Sequence, residues 1–376
     1  MKKLIIYSLV WLFLCGSVFG AEIIRYVDTG SAAGGDGTTD ALSGGNHAYQ
    51  TQAVAISTEA QDLTDGGGDH FILKCNRTGG GGVDTTTYNL IGWTTGAANY
   101  IEIFGTDFPV DGIWDDSAYI LHNNDAAVFC IDVDEEFVRF TNMQFQVTQG
   151  GASSRFGLLL SMAATGTSDY RISNCIIKGS SSGTGNTGGI GSSGTNINID
   201  VWNTTIYGFV NGADASHWGI FITSGVSVEI YNTVIYGCYI GYTEAAASSM
   251  VKNCAIGNCT DDISTDDTVD YCCTDDGDGT NSTGPQGGSW ANEYTDAANG
   301  DFTPLGGTGL STAGVNDPGS GRFSTDIIGN SYVTDSWLRG AYAGLGVNGA
   351  QMYFVTKNYW KNFIQEGING KWRMPA

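Results

Sequence analysis

The middle of the chain repeats one short motif five times, and this repeat sharply limits the folds open to it. Each copy places an apolar residue two positions before an asparagine and another three positions after it. The asparagines, which are 32, 29, 29 and 21 residues apart, are Asn142, Asn174, Asn203, Asn232 and Asn253. Repeats of this length, joined by strand-like and turn-like segments, are typical of a solenoid. We therefore interpret each copy as one rung of a parallel β-helix.

Stacking of the rungs predicts which side chains share a column. Successive rungs lie about 4.8 Å apart, so equivalent positions line up. The residues before the asparagines should form one inward column, namely Phe140, Ile172, Val201, Ile230 and Val251. The residues after them should form a second, namely Phe145, Ile177, Ile206, Ile235 and Ile256. The asparagines should stack at a turn, where their amides can bond to the next rung and to local backbone.

Composition supports this interpretation and indicates few helices. The chain has 56 glycines and only 5 prolines in 376 residues, as expected for many tight turns. One helix is predicted over residues 48–63, where Ala, Val, Ile and Leu recur at helical spacing. We divide the chain into a signal peptide (1–20), an N-terminal segment with a capping helix (21–65), rungs (66–284), a closing segment (285–342) and a basic aromatic tail (343–376).

The first twenty residues predict export. A short basic stretch, Met1-Lys2-Lys3, precedes an apolar run, and Val18-Phe19-Gly20 offers a cleavage site. The run is too short for a membrane span, and no other segment is long and apolar enough. A lipid anchor at Cys15 is the lesser alternative, because Phe13 and Leu14 are too large for the usual signal. We expect a secreted or cell-surface protein.

Net charge excludes one class of partner. Removal of Lys2 and Lys3 leaves 14 basic against 39 acidic residues, a net charge of −25. Such a surface repels nucleic-acid phosphates and anionic membranes. We therefore expect no nucleic-acid binding.

The cysteines allow disulfides but do not predict a zinc site. Eight remain after cleavage, an even number in an exported chain. Cys254 and Cys259 are close enough in sequence to pair across a turn, whereas Cys175 and Cys254 lie more than one rung apart, beyond disulfide reach. Most of the cysteines are expected to be small buried side chains.

The two ends of the chain carry a family resemblance. Tyr26-Val27-Asp28, the glycine-rich 34–38 and the helical segment resemble the N-terminal part of secreted and phage-encoded right-handed β-helix proteins of the pectin-lyase-like class. The stretches 301–303, 326–330 and 337–342 resemble the closing part of the same proteins. The resemblance implies an all-β, single-stranded right-handed parallel β-helix with an N-terminal capping helix and an irregular C-terminal segment. It also implies an exported or virion-associated protein.

Many proteins of this class cleave polysaccharides, and this chain departs from their motifs. Lyases of the class use an Arg or Lys base beside calcium-binding carboxylates, and hydrolases use clustered Asp with Gly-His-Gly and Arg-Ile-Lys segments. Here His217 stands in Ser216-His217-Trp218, and Arg171-Ile172-Ser173 matches only two residues of the basic motif.

One outward column nevertheless has the composition of a catalytic site. Asp200 and Glu229 should lie side by side on successive rungs, with Arg171 beside them. Paired carboxylates about 5 Å apart suit a retaining glycosidase or a Ca²⁺ site, and their repulsion raises one pKa. The alternative is a charge ladder on a solvated face, in which Arg171 offsets Asp200.

Aromatic residues on neighbouring outward columns predict sugar binding. The candidates are Trp202, Tyr231, Tyr207, Tyr236 and, near them in sequence, Trp218. Flat rings beside Asn, Asp and Glu suit the apolar faces and the hydroxyl groups of sugars. The alternative is that these rings cover the sheet beneath neighbouring loops.

The best metal candidate is an acidic stretch that contains Asp261, Asp262, Asp266, Asp267 and Asp270 and ends in the glycine-rich 275–281. We predict Ca²⁺ ligands at Asp276, Asp278 and Asn281, since alternating Asp and Gly can wrap oxygens around the ion. The spacing is not that of an EF-hand, and a solvated acidic turn is the alternative.

The predicted function is glycan recognition by an exported surface or phage-tail-like β-helix protein. The alternatives are a polysaccharide-degrading hydrolase or lyase working at Asp200 and Glu229, and a structural spacer without enzymatic activity. The basic tail can fold back on the acidic body or bind a second copy, and β-helix proteins of phage tails suggest a homotrimer by analogy.

Overall fold

The computed structural model describes residues 22–342, apart from short internal gaps. The gaps are 66–68, 79, 125–127, 162, 211–215, 246–247, 265–267, 306–307, 312–313, 316 and 333–336. The predicted signal peptide and the basic aromatic tail lie outside the described residues.

Short strands make up most of the described chain. In chain order they are β1 Glu22–Asp28, β2 His70–Asn76, β3 Tyr88–Leu90, β4 Ile101–Gly105, β5 Ile120–Asn124, β6 Phe129–Val133, β7 Phe137–Thr141, β8 Gln144–Gln149, β9 Arg155–Leu160, β10 Ala163–Ser173, β11 Ile176–Ser181, β12 Thr187–Ser192, β13 Thr195–Trp202, β14 Thr205–Tyr207, β15 His217–Ile222, β16 Val226–Tyr231, β17 Val234–Tyr236, β18 Ile240–Glu244, β19 Ser248–Lys252, β20 Ala255–Gly257, β21 Asp261–Ile263, β22 Thr268–Asp270, β23 Cys273–Thr274, β24 Tyr294–Asp296 and β25 Asp301–Pro304.

These strands wind into three parallel sheets. The first sheet has the order β1-β2-β4-β7-β10-β13-β16-β19-β22, the second runs from β5 to β23, and the third runs from β3 to β21. From β4 onward each turn of the chain adds one strand to each sheet in succession, for example β13, β14 and β15. The fold is therefore a right-handed parallel β-helix, as predicted. β1 is already part of it, because it pairs with β2 along its whole length.

The predicted inward columns are confirmed by strand register and burial. Ile172 lies between Phe140 and Val201, which in turn pairs with Ile230, and all four are fully buried. In the second sheet Ile177, Ile206 and their neighbours pair in the same way and are equally buried. One continuous apolar core runs through the coil.

The asparagines stand at the turn between the first and second sheets, in the left-handed region of backbone space. Their φ angles lie between 45° and 57°, a conformation that Asn tolerates better than most residues. Rung-to-rung contact there runs through backbone groups; the Asn174 N–H, for example, donates to the Trp202 carbonyl at 3.2 Å. The side-chain amides of Asn203 and Asn253 bond to residues 315–332 instead of forming the predicted amide ladder.

The predicted helix is present but shorter than expected. Helix α1 covers Gln52–Glu59, and the Thr51 side chain accepts a hydrogen bond from the Val54 N–H at its start. It cannot begin at residue 48, because Tyr49 is paired with Tyr26 and Asp28 through backbone hydrogen bonds. The helix packs against β1 and β3, which are edge strands of two sheets, so it covers the N-terminal end of the coil.

The closing segment, residues 285–342, folds back along the outside of the coil. It contains the antiparallel pair β24–β25, three single-turn 3₁₀ helices and a short helix α2 (Thr308–Ser311). One set of its apolar side chains covers the second sheet around Tyr207, and another covers the first sheet around Tyr231. Within the described residues, no helix is long and apolar enough to cross a membrane.

The described cysteines are all free thiols, and seven of the eight are buried. The predicted Cys254–Cys259 pair is wrong, because the coil carries the two residues into different stacks. Cys254 lies against Cys272 of the following rung, and Cys259 lies against Cys238 of the preceding one.

Candidate functional site

The two carboxylates of the predicted pair lie next to each other, and both are paired with one arginine. Asp200 of β13 and Glu229 of β16 are direct partners on adjacent strands, as predicted. Arg322 of the closing segment places Nη1 2.7 Å from Asp200 Oδ1 and also hydrogen-bonds to Glu229 Oε2. The guanidinium therefore forms ion pairs with both candidate catalytic carboxylates.

Burial, more than repulsion, controls the acidity of Asp200. Removal from water raises the pKa of its carboxyl to about 6, Arg322 opposes that rise, and Glu229 adds to it. Asp200 is 8% exposed. The pKa is suitable for a general acid, but the carboxyl lies beneath the closing segment.

Arg171 forms its ion pair with a carboxylate other than Asp200. Its strand position beside Asp200 is as expected. However, its guanidinium turns along its own strand and pairs with Asp169, with Nη2 2.8 Å from Oδ2. Two residues apart on one strand, these side chains share a face and can pair, while Arg171 also lowers the pKa of Asp200 through space, by less than Arg322 does.

The aromatic residues predicted on the first sheet are covered by the closing segment. The Phe323 ring stacks on Trp202, with centroids 6.1 Å apart and planes within 9°, and lies 6.2 Å from the Tyr231 ring. Tyr332 and Trp337 complete this cluster, and Tyr231 is 3% exposed. Tyr231 is therefore closed off, whereas Trp202 keeps intermediate exposure beside the Phe323 ring.

The second sheet shows the same arrangement. Tyr207 and Tyr236 are rung partners, and the Phe302 ring packs edge-on against both at about 5.5 Å. The next position is Gly257, and the Trp290 indole lies where its side chain would be. Tyr207 is 6% exposed, whereas Tyr236 is only partly buried. Only Tyr236 keeps a partly open ring.

Tyr236 lines an open groove at the edge of the closing segment. The groove has a volume of about 770 Å³, and Asn258, Asp275, Ser289 and Trp290 also line it. Both carboxylate oxygens of Asp275 are already used there. Oδ1 accepts from the Trp290 indole N–H at 2.6 Å, and Oδ2 accepts from the Asn258 N–H at 2.6 Å.

Trp218 lies on the third sheet, on a different outer face. Its ring is parallel to that of Phe156 within 4°, with centroids 6.5 Å apart, and lies 4.7 Å from the Phe221 ring. Gly188 stands between Phe156 and Trp218 in the stack, and a side chain there would collide with the Phe156 ring. We call this surface the third-sheet face; the side chains that form it are Phe156, Leu159, Trp218, Phe221 and Ile240. All but Phe156 keep intermediate exposure.

The predicted metal site has a different ligand set from the one expected. Carboxylate oxygens of Asp261, Asp276 and Asp278 lie within 4.8 Å of one another. Asn281 lies apart, because its side-chain amide donates to Asp270 Oδ1 and its carbonyl accepts from Arg339. Asp261 belongs to the predicted acidic stretch but was not among the predicted ligands, since its place depends on the register of β21 with β18.

These aspartates also close the free edge of the third sheet. Asp276 Oδ2 accepts from the Asp262 N–H at 3.4 Å and Asp278 Oδ2 from the Ile263 N–H at 3.2 Å, so they take the place of a further strand. Burial and the Asp276 carboxylate raise the pKa of Asp278 to about 6. Burial and the nearby carboxylates likewise raise the pKa of Asp262 to about 8, and its Oδ1 is buried without a hydrogen-bond partner. A hard divalent cation fits this set of oxygens, and the remaining ligands of Ca²⁺ would be water or backbone oxygens.

Two important side chains, Arg322 and Phe323, gave no signal in the sequence. They lie in an irregular stretch without a repeat, so no periodicity predicts that they cover Asp200 and Trp202. The role of Gly188 was equally unpredictable from the sequence, because it depends on the Phe156 ring that lies over this glycine.

Comparison with known proteins does not assign the chain to a family. No protein-family profile matches the chain. No curated protein matches it either. Among solved structures the chain is similar to the one titled "Crystal structure of pectate lyase Pel9A", with a TM-score of 0.36 and 12% sequence identity over 87% of this chain and 97% of that one.

Proposed function

We propose that this chain is an exported β-helix protein that recognises a glycan through its third-sheet face. The observation that carries the proposal is the set of partly exposed rings of Trp218 and Phe221 beside the parallel ring of Phe156. The aromatic clusters on the other two sheets are largely covered by the closing segment. Trp218 is thus the predicted sugar-binding residue whose surroundings best support the role.

The geometry of this face suits a chain of sugar rings. Because Gly188 has no side chain, the Phe156 ring lies over it and forms one surface with the parallel Trp218 ring and the Phe221 ring, which is tilted by 35° to that of Trp218. Such a surface takes the apolar faces of pyranose rings by stacking. Thr243 of the adjoining strand β18 is the register partner of Phe221 and offers a hydroxyl group to sugar hydroxyls. The rungs are spaced about 4.8 Å apart along the coil, so an extended ligand that lies along it can contact several of them.

The negative charge of the protein favours a neutral glycan over an acidic one as the ligand. The chain carries a net charge of −23, and Asp261 continues the column that contains Trp218 and Ile240. An acidic polysaccharide would be repelled by this end of the face. We therefore propose a neutral polysaccharide or cell-surface glycan as the ligand. Export, and association into a homotrimer, belong to the same proposal.

A second candidate, polysaccharide cleavage at Asp200 and Glu229, has one observation in its favour. The pKa of Asp200 is raised to about 6, as a general acid requires. Arg322 and the closing segment stand against it, because they cover the carboxylates. Cleavage would require the closing segment to leave the first sheet.

Binding and product formation should be measured together. Residues 21–376 would be run in affinity electrophoresis through gels that contain neutral polysaccharides, acidic polysaccharides or none, while reducing and unsaturated ends are assayed in solution. We expect retardation by a neutral polysaccharide without products. Trp218→Ala should weaken the apparent affinity by about fivefold to 150-fold, since loss of a stacked ring costs about 1–3 kcal/mol.

The matched control is Trp114→Ala, which removes another partly exposed tryptophan, from a part of the coil covered by the closing segment. It should leave affinity unchanged. Loss of binding in Tyr236→Ala but not in Trp218→Ala would move the site to the groove beside Asp275. Product formation abolished by Asp200→Asn would replace the binding function with the enzymatic one.

A further inference from the structure

Two cysteines occupy equivalent positions on neighbouring rungs. Tyr236 and Gly257 are register partners, and Cys238 and Cys259 each follow two residues later. The Gly237 N–H donates to the Gly257 carbonyl at 3.1 Å, so the register continues into this turn. Stacked positions lie about 4.8 Å apart, within the range of about 4.4–6.8 Å between Cα atoms in disulfides.

The two thiols are in contact and differ in accessibility. The Cys259 thiol lies within hydrogen-bonding reach of the Cys238 thiol, and this contact, together with burial, raises the pKa of Cys259. Cys238 is fully buried, whereas Cys259 is partly exposed in the turn that follows Asn258. An oxidant from solvent therefore reaches Cys259 first, and Cys238 stands directly behind it.

We propose that Cys238 and Cys259 form a redox-active pair that closes to a disulfide when the protein meets a small disulfide oxidant. The Cys259 thiolate attacks one sulfur of the oxidant and displaces a thiolate, which leaves a mixed disulfide on Cys259. The Cys238 thiolate then attacks Cys259 Sγ and releases the second thiol of the oxidant. Two electrons and two protons pass from the cysteine pair to the oxidant, which becomes two thiols.

A second stacked pair provides an internal comparison. Cys254 and Cys272 directly precede the register partners Ala255 and Cys273, and both are fully buried. Their thiols donate to the carbonyls of Lys252 at 3.3 Å and Asp270 at 3.5 Å. The stacking is the same, but neither thiol is exposed. We expect this pair to stay reduced in the folded protein.

Closure of the pair would join two successive turns of the coil. The chain between Cys238 and Cys259 contains β18, β19 and β20, which together make up one full circuit. These rungs lie close to the C-terminal end of the coil, where only β21, β22 and β23 follow. A covalent link there restricts the opening of the last rungs from that end.

The test uses the folded, reduced protein and oxidised glutathione at about pH 8.5, where more of a thiol is ionised. After acid quenching and unfolding, free thiols are alkylated and the peptides are mapped by mass spectrometry. We expect a peptide pair linked through Cys238 and Cys259, while Cys254 and Cys272 are alkylated. The oxidised protein should also melt several degrees higher than the reduced protein.

Two variants make the result decisive. Cys238→Ser removes the resolving thiol, so glutathione should remain attached to Cys259. Cys259→Ser should leave Cys238 unmodified, because no exposed thiol starts the exchange. The proposal fails if both cysteines of the wild-type protein are alkylated after oxidation, or if wild type keeps glutathione on Cys259 as Cys238→Ser does. A link through Cys254 or Cys272 would overturn it as well.

Discussion

The Arg322 guanidinium lies 2.7 Å from the Asp200 carboxylate, although 122 residues separate them in the chain. The same guanidinium reaches Glu229, so one side chain ties the closing segment to two rungs. Because Arg322 is 41% exposed, its pairs are partly screened by water. These ion pairs make a moderate contribution to the stability of the protein, and this contribution depends on the ionisation of both carboxyls.

Arg322→Gln should destabilise the protein by about 1–2 kcal/mol at pH 7, because two partly buried carboxylates lose their cation. At pH 4 the loss should shrink, since Asp200 is then protonated. Urea unfolding at both pH values measures this difference. Arg171→Gln is the control, because its pair with Asp169 lies within one strand and does not join the closing segment to the coil. An equal loss at both pH values would contradict the ion-pair role.

Stability should fall as the pH rises from about 4 to about 8. The pKa values of Asp200 and Asp278 are raised to about 6, that of Glu135 to about 7 and that of Asp262 to about 8, with burial the first cause of each. In this window the folded protein binds protons that the unfolded chain has released, so ionisation favours unfolding. Each unit of pKa shift corresponds to about 1.4 kcal/mol.

The measurement is the melting temperature between pH 4.5 and 8.5 without divalent cations. Asp262→Asn should flatten the upper part of the profile, because its carboxyl has the highest of these pKa values. Asp317→Asn, a change at an exposed turn, should leave the profile unchanged. A melting temperature that rises with pH would contradict the prediction.

The coil was predictable from sequence because its contacts repeat. Asn142 and Asn174 mark the same turn on successive rungs, so register follows from counting, and the columns of Phe140 and Ile177 were predicted correctly. The surface of the coil was not predictable. Whether Trp202 is open or covered depends on Phe323, which lies far away in sequence and outside the repeat. The exposure of the site residues predicted on the first and second sheets depends on this covering segment.

Phe323→Ala should loosen the closing segment over the first sheet. The ring contacts Trp202, Tyr231 and Trp337, and removal of a buried Phe side chain costs about 3–5 kcal/mol. We expect the Trp202 region to gain solvent exposure, seen as faster tryptophan quenching by acrylamide and earlier proteolysis within 285–342. Leu305→Ala, at a residue that is 55% exposed, should change neither. Unchanged quenching in Phe323→Ala would contradict the assignment.

Added Ca²⁺ should raise the melting temperature if the aspartate cluster binds it. Ligand binding to the folded state alone stabilises by about 2.7 kcal/mol at a hundredfold excess over Kd. The gain should disappear in Asp276→Asn and in Asp278→Asn, and it should persist in Asn281→Ser, because Asn281 lies outside the cluster. Isothermal titration with CaCl₂ provides the direct measurement. A gain in wild type that is lost in Asn281→Ser would restore the ligand set expected from the sequence.

Asn203→Gly should separate the two roles of a ladder asparagine. Glycine keeps the left-handed backbone that Asn203 adopts, with φ of 50°, but it removes the amide that bonds to the Thr325 carbonyl and the Tyr332 hydroxyl. We expect a loss of about 2–3 kcal/mol from the two buried contacts. Asn196→Gly, at an exposed position with φ of 58°, is the matched control and should cost well under 1 kcal/mol. Equal losses would show that backbone conformation alone matters.

The two clamped asparagines also limit how the length of this coil can change. Asn203 holds the Thr325 carbonyl, and Asn253 holds both the N–H and the carbonyl of Val315. Insertion of one rung between β13 and β19 would move these anchor points about 4.8 Å farther apart. The ten residues that follow Val315, up to Thr325, could still span that distance only by extending, and Arg322 and Phe323 among them would then lose their present contacts with the first sheet. A duplication of the repeat in that interval therefore favours a matching insertion in the closing segment.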